Sequence, residues 1–292
     1  MAVNTKTVHH SRSKSSPIQP TPFLLQSNDH LYRLQSSECA STSQQLISYK
    51  LDSLLHLLSN QMTCIQQDFP TEQNENLVEF LLDGSLWLID VCGNIRDVLL
   101  QTSEGTQRLL SVLRRKLDKH EVAREVSSYF KSRKMIKKVT VKLLRAADSL
   151  GKKFNIDSMN ENQEVISFLH ILEKSQSISV DVFKSLFSYV SGSRTLSEAS
   201  KWSLISKLVP SRQEPSEEDD CLNKNRFAVV DAALHMLIRH KTVACINNAE
   251  IDKLREHLED LESLVIDLER SIECLCRLLI KSRVILLNML NH

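Results

Sequence analysis

The sequence predicts an all-α protein: an elongated helical bundle closed by a long, coiled-coil-like C-terminal helix and preceded by a disordered tail. Three observations carry this expectation. Only five of 292 residues are glycine, far below the usual share of about 7%. No proline falls between Pro70 and Pro210, so nothing in that span removes a helical backbone donor. Apolar residues recur at steps of three and four over most of the chain, the period of one buried helical stripe.

Taken in order, residues 1–28 hold no acid, three basic residues and many Ser and Thr, and Pro17, Pro20 and Pro22 close the segment. Such a composition buries too little apolar surface to offset its ordering entropy and is expected to be disordered. A Ser-rich, acid-poor start also suits an organelle transit peptide, although its amphipathic, Arg-rich pattern is weak. The helical domain is expected over 29–292. Leu31 and Leu34 share a face, and Ile47, Leu51, Leu54, Leu58, Met62 and Ile65 continue one stripe up to Pro70. Thr71 suits an N-cap, with Glu72 and Glu75 at the positive end of the next dipole. That next helix carries Leu77, Leu81, Leu88, Val91, Ile95 and Val98. Breaks are expected near Gly105, His120, the 151–162 stretch and Gly192. Residues 210–220, bracketed by proline and rich in acid, read as a linker inside the domain, and a further helix is expected from about Arg226.

The strongest local signal is the last. Ile251, Leu254, Leu258, Leu261, Val265, Leu268, Ile272, Leu275, Leu279, Leu286 and Met289 fill a heptad seam in which Ser282 is the one miss. Alternating steps of three and four over so many turns mark a coiled-coil-like helix. Its seam can pack on the chain's own helices or on a second copy, and intramolecular packing is favoured because the apolar helices before it need partners too. Beyond Ile272 apolar residues spread to other faces, as in Leu278, Ile280, Val284, Ile285 and Leu287. The last three turns are therefore expected to be buried among other helices.

Several function classes are disfavoured. The glycines never stand closer than nine residues, which argues against a phosphate-cradling loop. No run is long and apolar enough to span a bilayer. Net charge is +1, so global steering toward nucleic acid or membrane is not expected. Seven scattered cysteines show no disulfide-like spacing, and no signal-peptide pattern is read. A cytoplasmic setting is the expectation, with peripheral membrane association open and a plastid less favoured. Cys274 and Cys276 are expected to be buried structural cysteines. No histidine or cysteine pair has metal-ligand spacing, and no residue stands in a nucleophile motif. A non-enzyme without cofactor or metal is expected; an active site assembled from distant residues is the remaining alternative.

Two constellations stand out. Residues 108–153 hold fifteen Lys or Arg against four acids, with Lys131, Arg133, Lys134, Lys137 and Lys138 crowded into two turns. This basic face reads first as a solvated helix surface paired with the nine acids of residues 250–273. An anionic lipid surface or an acidic partner is the second reading. Nucleic acid is disfavoured, because only Tyr129, Phe130 and Phe154 could stack on bases. In the tail, Arg12, Ser15 and Pro17 match an Arg-Ser-x-Ser-x-Pro pattern, in which phosphorylated Ser15 would enter the basic groove of a 14-3-3 protein.

The runs His10–Pro17, His30–Glu38, Leu81–Leu86, Leu88–Cys92, Leu110–Arg115, Ser132–Lys138 and Leu278–His292 together resemble the plant BYPASS-like family, a plant domain of unknown function. Their order and position agree along the chain, with 154–245 the least similar stretch. The resemblance implies a plant protein connected with root and shoot development, and it implies no enzyme activity, cofactor or catalytic residue. The expected function is accordingly a non-catalytic interaction or scaffold protein in developmental signalling, engaging protein partners through helical surfaces. A peripheral membrane or trafficking adaptor is the alternative.

Overall fold

In the computed structural model the described residues, 44–68, 75–115, 119–151, 163–192, 225–239 and 248–290, form six helices: α1 (Gln44–Asp68), α2 (Glu75–Arg114), α3 (Lys119–Gly151), α4 (Gln163–Ser191), α5 (Arg226–Arg239) and α6 (Asn248–Leu290). No strand occurs among them. The expectations for the tail and its Arg12, Ser15 and Pro17, for Leu31 and Leu34, for the Thr71 cap and for the 210–220 linker lie outside the described residues.

The two longest helices, α2 and α6, form the spine. Gln107 Nε2 donates to Glu262 Oε1 at 2.9 Å, and Arg114 Nη2 meets Glu259 Oε1 at 2.9 Å. At the other end Arg283 donates to the Leu82 carbonyl at 2.5 Å. Residue numbers rise on one helix as they fall on the other, so the pair is antiparallel. The 43 residues of α6 reach about 64 Å at ~1.5 Å per residue. Its seam turns inward within the chain: Leu258, Leu261, Val265 and Leu275 are fully buried, and Leu254, Leu268, Ile272, Leu279 and Leu286 are nearly so. Ile251 is half-buried against the same core, and Met289 lies in the last turn of α6. Alongside this spine, α1 packs on α6 and α4, α3 on α2 and α4, and α5 on the first half of α6.

Three expectations are corrected here. Gly105 does not break a helix; it sits buried inside α2, which runs on to Arg114. A Cβ at Gly105 would stand 3.3 Å from Tyr129 Cδ2, so the missing side chain seats the Tyr129 ring of α3 against α2. Near the C-terminus of α6, Ile280, Val284 and Leu287 remain 47%, 50% and 40% exposed, so these turns are not buried on every side. The reason is coverage: α5 lies along the opposite end, where Arg226 pairs with Asp260, and α1 and α2 cover only part of the circumference. Cys274 is exposed and Cys276 half-buried, while Cys92 is buried. Burial first, and nearby Cys276 second, push the Cys92 thiol up to about 12, which keeps it protonated and a poor nucleophile.

The junction of α4 and α5 is built from one asparagine and one glycine. Gly192 ends α4 with φ +68, a left-handed cap that glycine adopts without steric cost, and its N–H donates to the Tyr189 carbonyl at 3.1 Å. Across the gap in sequence, Asn225 Oδ1 accepts from the N–H groups of Phe227 and Ala228 at 3.0 and 3.3 Å. Its amide Nδ2 donates to the same Tyr189 carbonyl at 2.7 Å. One side chain thus caps the start of α5 and the end of α4 together. Asn225→Ala is expected to lower the unfolding free energy by about 1–2 kcal/mol, measured by urea denaturation.

Candidate functional site

The buried stripe of α3 runs Val126, Tyr129, Arg133, Ile136, Thr140, steps of three and four that place an arginine in a core position. Arg133 is 3% exposed at its side chain, so it does not belong to an exposed basic face. Its Nε stands 3.0 Å from Asp231 Oδ1 and its Nη2 3.2 Å from Oδ2, a fork-to-fork pair with α5. Nη1 donates to the Val190 carbonyl at 2.9 Å, where the last turn of α4 leaves carbonyls without helical partners. The guanidinium carbon also lies 5.3 Å from the centroid of the Phe227 ring, within cation–π reach. A single buried cation therefore ties α3, α4 and α5 together.

Asp231 is shared further. Tyr129 donates its hydroxyl to Oδ1 at 3.3 Å, and Lys137 approaches Oδ2 at 3.4 Å. Burial raises the Tyr129 hydroxyl well above the ordinary phenol range; Arg133 pulls it down and Asp231 pushes it up. It stays protonated and serves as a donor. Tyr189, close by, is pushed up to about 12 by burial, against the lowering effect of Arg226. Of the basic stretch 108–153, Arg114 meets the acidic 250–273 segment through Glu259, as expected, whereas the acid that meets Arg133 and Lys137 is Asp231 on α5.

Above this buried pair, α3 and α5 flank a cleft of about 570 Å³ lined by Phe130, Arg133, Lys134, Lys137, Lys138, Val141, Asp231 and His235. Helical spacing puts Phe130, Lys134, Lys137 and Val141 on one side of α3, while Asp231 and His235, four apart, present one side of α5. Phe130 and His235 stack with ring centroids 4.2 Å apart and planes at 27°. Phe130 is thus already stacked, and Tyr129 is buried; Phe154 lies outside the described residues. Lys131, Lys134 and Lys138 are exposed. Among the described residues no ion pair reaches them: α3 itself carries no acid from residue 126 to 147, and Asp231 of α5 meets Arg133 and Lys137 instead. Lysines at i and i+4, as in Lys134 and Lys138, repel each other, so packing gives no reason for this arrangement.

Sequence reasoning placed the lysines but missed Asp231 and His235. A usable signal existed: Asp231 is the one acid in α5, whose sequence is RFAVVDAALHMLIR, and a carboxylate on an otherwise apolar helix needs a partner. The structure brings Lys134, Lys137 and Lys138 to one cleft, sets Lys131 on the outer side and withdraws Arg133 into the core. Among the described residues no three His, Cys, Asp or Glu side chains converge as a metal site would require, and no helix is long and apolar enough to cross a membrane.

Neither a curated protein nor a solved structure matches this chain. A family model described as Protein BPS1 matches residues 49–289, a span that includes α2 to α5 whole, α6 but for its last residue, most of α1, and the cleft. The chain belongs to the BPS1, or BYPASS, family and thereby has a role related to plant development.

Proposed function

We propose that this chain is a non-catalytic interaction protein in plant developmental signalling, docking an acidic protein partner on the outer side of α3. The observation that carries the reading is the lysine ridge, which no ion pair compensates among the described residues. Lys131, Lys134, Lys138 and Lys142 are exposed at steps of three and four on a stretch without acid. Complementary charge steers encounter and selects partners, and a rigid helix holds the ridge in fixed register. The heptad seam supports the same view from the other side. It is engaged in the chain's own core, which leaves charged surfaces for partners.

The test is proximity labelling in root cells with a Lys131→Glu, Lys134→Glu, Lys138→Glu variant. Lys137 is spared because it pairs with Asp231. The expected result is loss of a reproducible set of acidic proteins from the labelled fraction at unchanged protein level. Retention of that set by the variant would remove the ridge from the account. A second reading, a peripheral membrane adaptor, draws on the same ridge, since each lysine near an anionic bilayer contributes about 1 kcal/mol. It predicts that the variant leaves the membrane fraction. The 14-3-3 site at Ser15, with Arg12 and Pro17, remains a separate proposal, tested by titrating a Ser15-phosphorylated peptide against a 14-3-3 protein.

A further inference from the structure

The cleft between α3 and α5 differs from the ridge beside it in one respect: its charge surrounds an apolar floor. We infer that it is a binding site for a small amphipathic organic anion, a phosphate- or carboxylate-bearing molecule with an apolar ring. Lys134, Lys137 and Lys138 hold the acidic group, and Phe130, Val141 and His235 carry the ring.

The size fits. About 570 Å³ lies within the range of roughly 300–1,000 Å³ of small-molecule sites, which join apolar walls to a few converging polar groups. The charge fits as well. Asp231 neutralises Arg133 at the base through three hydrogen-bonded contacts and draws only lightly on Lys137, at 3.4 Å. Lys134 and Lys138 have no acidic partner among the described residues. An entering anion therefore meets ammonium groups that are not otherwise committed, and Lys137, half-exposed, can turn to it without uncovering the buried pair. The floor fits a ring. Val141 is 47% exposed between Lys137, Lys138 and Lys142 of α3, and the stacked Phe130 and His235 line the same cleft. An exposed valine lining a cationic cleft does nothing for the core, yet it supplies the apolar contact that inorganic phosphate cannot use.

Because a carboxylate placed on the floor would fill the cleft with the wrong charge without disturbing a buried contact, Val141→Glu separates this site from the ridge. The probe is naphthyl phosphate, titrated calorimetrically into the full chain, with inorganic phosphate and naphthol as the two halves. Expected is saturable one-to-one binding about tenfold or more tighter than either half, a difference of about 1.4 kcal/mol or more. Val141→Glu should weaken it by at least about tenfold with an unchanged melting transition, and Val141→Leu should retain it. The proposal is overturned by no saturable binding up to about 1 mM, by equal affinity for phosphate alone, or by equal affinity in Val141→Glu. The partner reading does not depend on this outcome, since Val141→Glu leaves Lys131, Lys134, Lys138 and Lys142 in place and the labelled partner set can be scored in the same variant.

Discussion

Arg133→Ala is expected to lower the unfolding free energy by about 3–5 kcal/mol, the cost of leaving a carboxylate in a largely dry site without its cation. Asp231 is 13% exposed at its side chain, and Lys137, at 3.4 Å and half-exposed, is too well solvated to replace a forked guanidinium. The loss also uncaps the end of α4, where Arg133 holds the Val190 carbonyl, and removes the charge from the face of Phe227. Arg133→Lys should recover only part of the stability, because an ammonium cannot bond both Asp231 oxygens and the Val190 carbonyl from one planar group. The pair Arg133→Met with Asp231→Leu should sit much closer to the parent, since apolar side chains of similar volume remove both desolvation penalties at once. Urea unfolding followed by circular dichroism measures all three. An alanine variant within about 1 kcal/mol of the parent would show that water already reaches the pair.

Leu261→Ala is expected to cost about 2–5 kcal/mol, the range for deleting a fully buried leucine side chain when the surrounding core collapses only in part. Leu261 is entirely shielded, and it belongs to the continuous core that α1, α2 and α6 share. The packing is within the chain, so the loss should be independent of protein concentration. Ile280→Ala, on the same helix but 47% exposed, should change stability by about 0.5 kcal/mol or less. Thermal melts at two concentrations check both variants. A Leu261→Ala midpoint that rises with concentration would place the seam between chains instead.

How far the fold was legible follows from the range over which each signal acts. The α6 stripe is local: apolar residues three and four apart share a face whatever the helix meets, so the seam was visible without any partner. Its one miss, Ser282, proves half-buried. Gly105 misled because a glycine in sequence looks the same whether it ends a helix or makes room on one. The close approach of Tyr129, 24 positions later in sequence, decides between them. Arg133 misled for a related reason. Counted with its neighbours it belongs to a charge run, whereas its place in the Val126–Tyr129–Arg133–Ile136 stripe assigns it to the core. The clue needed to prefer the stripe, a lone carboxylate on an apolar helix, lies 98 residues away.

By itself, then, the sequence determined the helices, the seam of the last one, the lysine-rich stretch of α3 and the likeness to a family, because periodicity and composition are properties of neighbouring residues. Tertiary structure alone decided which of five adjacent cations is buried, which faces of α6 remain open near its end, and that Asp231 and His235 complete a cleft with α3. Burial is set by what packs across a gap, and the pairing of α3 with α5 joins segments that no local pattern connects.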